Sequence, residues 1–101
     1  MVRFLVLYDK PQDVGSCDRH YREVHIPLTK KLPGLRRYAI GRNPAPIRGG
    51  EAYYLIAELD WDDMAALQQA FQSPEGPATA RDVPKLAGNR VRSMVYELLE
   101  V

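Results

Sequence analysis

From Val2 to Tyr8 the chain reads VRFLVLY, apolar at nearly every position and rich in β-branched and aromatic side chains. Because successive strand residues point to opposite faces, such a run predicts a strand over 2–8 that is covered on both sides. DKPQDVGS follows as a loop in which Asp13 or Ser16 can cap a helix. Cys17, Tyr21, Val24 and Leu28 then recur at spacings of four, three and four, which draws one apolar stripe along a first helix. LPG at 32–34 stops it. The run LRRYAIGR at 35–42 predicts a second strand, NPAPIRGG a turn-rich connection, and EAYYLIAELD at 51–60 a third strand. WDDMAALQQAFQ predicts a second helix, capped by Asp62, with Met64, Leu67 and Phe71 on one face. Ser73-Pro74-Glu75 repeats a helix-start signal, so a short third helix is expected to run to about Val83-Pro84. VRSMVYELL at 91–99 closes the chain as a fourth strand.

The order β-α-β-β-α-α-β is, apart from the extra short helix, a ferredoxin-like split βαβ arrangement: an α+β fold with a four-stranded antiparallel sheet and helices on one face. That leaves the other face bare, yet both faces read as apolar. Phe4, Val6 and Tyr8 alternate with Leu5 and Leu7 in the first strand; Tyr53, Leu55, Ala57 and Leu59 alternate with Tyr54 and Ile56 in the third. About ten apolar side chains at ~1.5–3 kcal/mol each would exceed the ~4–15 kcal/mol cost of association, so a homodimer packed sheet to sheet is expected. An RNA strand stacked on aromatics is the competing cover, but EAYYLIAEL lacks the aromatic signature of that use of the fold.

Composition narrows the classes. One hundred and one residues make a single domain, 1–101, and 46% hydrophobic with 27% charged residues is ordinary for a globular chain. No apolar run reaches the ~18 residues of a membrane span, and the first residues show no signal-peptide pattern. A lone Cys17 excludes a disulfide framework and, with the missing export pattern, predicts the cytoplasm. A net charge of +1 gives no push toward nucleic acid. Charge is uneven, however: between Glu23 and Glu51 lie Lys30, Lys31, Arg36, Arg37, Arg42 and Arg48 with no acid among them. That stretch is either a solvated rim or a surface that draws in small anions.

The segment HYREVHIPLTKKLPGL raises a local question, because Pro27 falls where a helix interior should be, two residues after His25. Proline removes one amide donor and crowds the carbonyl four residues back, so a break near Glu23 is expected. At ~100° per residue His25 lies roughly 55° from the centre of the buried stripe, and His20 about 85° away on the solvent flank. The break can turn His25 inward; otherwise the helix simply ends early and a backbone carbonyl satisfies the ring. No spacing of His and Cys makes a metal site, and no Gly-rich phosphate loop or dinucleotide fingerprint is present, so neither metal nor cofactor is expected.

The run CDRHYREVHIPLTKKLPGLRRY at 17–38, with SPEGPATARDVPKLAG at 73–88, resembles the EthD family. The resemblance implies a dimeric α/β-barrel enclosing a cavity. It also implies kinship with cofactor-independent isomerases, cyclases and monooxygenases, and roles in ether or aromatic degradation. Relatives that cyclise polyketides carry a histidine near 73–77, and this chain has none there. In relatives that isomerise lactones the matching His and Tyr sit in the pocket, which points to His25 as general acid/base and Tyr38 as orienting group or oxyanion donor. Phe4, Val6, Tyr8, Leu55, Ala57 and Leu59 are the expected lining. Glu58, an acid in an otherwise apolar strand, is a second acid/base candidate or else pairs with an arginine. The expected function is proton transfer on a small organic molecule, with a non-catalytic binding or accessory role as the alternative.

Overall fold

The computed structural model describes residues 1–87 and 90–101. β1 (Val2–Tyr8) leads to α1 (Val14–His20), where the Asp13 side chain accepts a hydrogen bond from the Ser16 amide at 3.0 Å as the helix cap. The helix does not break at Pro27. It passes through one π-helical turn, Tyr21–His25, and continues as α2 (Ile26–Lys30). The Ile26 amide reaches back five residues to the Tyr21 carbonyl. The wider turn sits directly before the residue whose ring would otherwise press on Glu23, and so admits Pro27 without ending the helix.

The π turn also rotates the helix. In an α-helix, residues four apart drift by ~40° per step; the extra residue of the π turn removes that drift. Tyr21, His25 and Thr29 therefore all face inward, and Val24, expected on the buried stripe, is 40% exposed. Gly34, at φ +74°, makes the reversal after the helix, a conformation that costs glycine nothing.

β2 (Arg37–Arg42) and β3 (Leu55–Trp61) are shorter at their starts than expected, although the Tyr54 amide still bonds the Tyr8 carbonyl at 2.7 Å. Trp61 is the last residue of β3 rather than the first of a helix. It is fully buried, and its indole N–H donates to the Pro33 carbonyl at 2.9 Å. The next helix, α3 (Met64–Gln72), is accordingly capped by Asp63 and not Asp62. α4 (Glu75–Asp82) follows, then a further turn, α5 (Pro84–Ala87), and β4 (Val91–Glu97).

The sheet order is β2-β3-β1-β4, with antiparallel neighbours throughout: the ferredoxin-like arrangement. Register places Val2, Phe4, Val6 and Tyr8 beside Trp61, Leu59, Ala57 and Leu55 on the face the helices cover. The open face is less apolar than the alternation suggested. It carries Leu5, Leu7, Ala39, Ile56, Met94 and Tyr96, but also a cluster of ion pairs. Arg3 forms a two-pronged bond to buried Asp60 at 2.8 and 3.0 Å, and both Arg3 and Arg37 reach Glu58.

Candidate functional site

Between the covered face of the sheet and the helices lies a cavity of about 510 Å³ within the single chain. Phe4, Val6, Tyr8, Ala57 and Leu59 supply its floor. Leu55 does not line it; the twist carries this residue to a second recess of about 200 Å³, beside Cys17 and Tyr54. Glu58 lies on the opposite face of the sheet, held by the arginines there, and does not reach the cavity. Burial pushes the Cys17 thiol up, so it stays protonated.

His25 and Tyr38 both line the cavity, but they are not bonded to each other. Their partners come from elsewhere. His25 is 4% exposed, and its Nδ1 lies 2.9 Å from Oδ2 of Asp82. His20, expected to face solvent, is half-buried and places Nε2 2.7 Å from the other oxygen, Oδ1, of the same carboxylate. Asp82 thus stands between two imidazoles. Burial alone would push its carboxyl up, but the bonds from His20 and His25 outweigh that and hold it below the ordinary 3.8. For His25 burial dominates and lowers the ring's value below 6.5, against the opposing pull of Asp82. The pair is a carboxylate and a neutral imidazole at neutral pH. Since an ionised carboxylate only accepts, the His25 proton must sit on Nδ1. The basic lone pair is left on Nε2, which makes no hydrogen bond among the described residues.

Tyr38 instead bonds Tyr21, hydroxyl to hydroxyl, at 2.7 Å. The Tyr21 ring in turn lies against His25, centroids 5.2 Å apart, so it bridges the two residues the sequence paired directly. Burial raises both phenols, which remain protonated. Thr29 completes this wall, one helical turn beyond His25. Among the described residues no lysine, arginine or carboxylate lines the cavity, so the basic side chains of the stretch at 30–48 are no part of it; Arg36 and Arg37 are engaged with Asp62 and Glu58. Among the described residues no three His, Cys, Asp or Glu side chains converge as a metal site.

Sequence reasoning missed Asp82, Tyr21 as a polar group, Thr29 and the bond made by His20. The four-residue steps from Tyr21 to His25 to Thr29 were visible, but they align only once the π turn is known. Asp82 lies 57 residues from His25 and carries no local signal.

A sequence model of the EthD domain matches residues 10–90. The chain belongs to the EthD family. An uncharacterized 11.0 kDa protein from the thcB-thcC intergenic region of Rhodococcus erythropolis is 34% identical, matching 90% of this chain and 88% of its own. The crystal structure of an EthD family protein from Bacillus halodurans C-125 superposes with a TM-score of 0.89 at 38% identity, covering 98% of this chain and 99% of that one. The fold alone extends further. A dimeric ferredoxin-like protein of unknown function from Jannaschia sp. CCS1 gives 0.75 at 20% identity, covering 96% and 98%. A hydroxynitrile lyase from Passiflora edulis gives 0.79 at 16%, covering 99% and 94%.

Proposed function

We propose that this EthD domain catalyses an acid–base reaction on a small, neutral, mostly apolar organic molecule held in its cavity. The observation that carries this is the Asp82–His25 pair. The carboxylate fixes the imidazole's tautomer and leaves Nε2 free, on a buried ring that forms part of the cavity wall. An uncharged, largely apolar lining suits a ligand that enters neutral, since among the described residues no charged side chain there would pair with an ion. A fold shared with a lyase agrees with this reading.

The assembly proposed is a homodimer joined through the open face of the sheet. Dimeric ferredoxin-like neighbours support it, as do the six apolar side chains that face presents.

The reaction is tested without knowing the natural substrate. Neutral ketones and lactones are incubated with the protein in heavy water, and exchange at the carbon beside the carbonyl is followed by proton NMR. The wild type should accelerate exchange in at least one compound, and His25→Gln should lower that rate by ~10²–10⁴-fold, the usual worth of a general base. Its melting temperature should move by a few degrees at most. Undiminished exchange by His25→Gln refutes the proposal; ligand binding with no exchange by the wild type shows a binding protein instead.

A further inference from the structure

Thr29 is 2% exposed and lines the cavity, and its hydroxyl is the buried side-chain polar atom that lacks a hydrogen-bond partner among the described residues. An unpaired buried hydroxyl is costly, and native proteins keep few of them. It lies beside Tyr38, close enough to oppose in part the rise that burial gives that phenol, but outside the distance and angles of a formed hydrogen bond.

A count of protons points the same way. Tyr21 and Tyr38 bring two hydroxyl protons and make one bond between them. Whichever phenol donates, the other retains an uncommitted proton. Thr29 supplies a second. The helix that carries Thr29 also carries Tyr21 and His25 on the same inward line, so the base and both donors share one wall.

We propose that Thr29 and the Tyr21–Tyr38 pair form a two-donor site for a substrate oxygen, and that the substrate is a neutral carbonyl compound with a C–H next to the carbonyl. This rests on the acid–base reading above and adds the substrate class to it. His25 Nε2 takes the proton from that carbon. The C–H electron pair becomes a carbon–carbon π bond, and the carbonyl π pair moves onto oxygen. Thr29 and the spare phenol proton donate to the oxyanion so formed. Return of the proton from Nε2, to the same carbon or to another carbon of the conjugated system, completes an exchange or an isomerisation. No electrons are gained or lost, so no co-reactant is needed.

The probe is 4-nitrophenol, whose ionised form resembles an enolate and is yellow. Titration at pH 6, where the free compound is mostly neutral, should show binding with growth of the phenolate band. Thr29→Val, nearly the same shape without the hydroxyl, should weaken binding by ~10-fold or more, as expected for a hydrogen bond to a charged oxygen. It should also shrink the phenolate band, and Thr29→Ser should restore both. Equal affinity and an equal spectrum for Thr29→Val overturn the site, as does a wild type that binds none of the probe at millimolar concentration. The two proposals fail separately. Undiminished exchange by His25→Gln removes the base and leaves the oxygen site standing, whereas undiminished nitrophenol binding by Thr29→Val does the reverse.

Discussion

The carboxylate of Asp82 has two jobs, and they are separable. It joins α4 to the long first helix, and it sets which nitrogen of His25 is basic. Asp82→Asn should keep the first in part, because an amide can still bond an imidazole. It should lose the second, since the amide can present N–H to Nδ1 and favour the wrong tautomer. Exchange is then expected to fall by about 10²-fold or more. The acid limb of the rate profile, already below pH 6.5 because burial lowers the ring, should move further down once the stabilising charge is gone. A purely structural Asp82 would leave that limb where it is. Stability should follow pH in a matching way. The folded value of His25 lies below the unfolded one, so the unfolded chain takes up the proton first. That contribution is complete above about pH 6.5 and lost as pH falls past it; the depressed Asp82 adds a second loss below about pH 4. Thermal melts from pH 7.5 to 3.5 check both.

The helices hold the site because they pack without slack at one glycine. A Cβ on Gly76 would collide with the Phe71 carbonyl oxygen and lie 2.8 Å from that of Ala70, so the start of α4 rides directly on the end of α3. Gly76→Ala is expected to cost about 1–3 kcal/mol, as overpacking does, and to lower the melting temperature by several degrees. It should also loosen Asp82 from the histidines at the far end of α4, seen as a change in their NMR shifts. A melt unchanged within a degree would contradict this. Much of the element order was legible beforehand, because period-2 and period-3.6 patterns report directly on which face is buried. What misled were features that shift phase or boundary by one residue. The π turn sent Val24 outward, and Trp61 read as a helix start although its bulk fills the end of β3.

For the assembly, the five large apolar side chains (Ala39 adds little) at ~1.5–3 kcal/mol each represent at most ~7–15 kcal/mol gross, set against ~4–15 kcal/mol for association. The margin is thinner than ten side chains would give, because alternation alone did not reveal the ion pairs around Asp60. Sedimentation equilibrium at micromolar concentration should return twice the chain mass of 11.5 kDa. Leu5→Glu, which sets a second acid beside Glu58 in register, should shift the protein to monomer without unfolding it. A wild type that sediments as a monomer would contradict the dimer.

By itself the sequence determined the four strands, the main helices and their order. These follow from local periodicity, and propensity and burial agree along the chain. It also marked His25 and Tyr38 as residues of interest, through the misplaced Pro27 and the family motif. Only the tertiary structure decided which groups meet: Asp82 with two histidines, Tyr38 with Tyr21 rather than His25, and Thr29 with no partner among the described residues. The reason is physical. A proton's position and a pKa depend on what lies within ~3–6 Å in space, and here those neighbours come from residues 17, 57 and 62 positions apart.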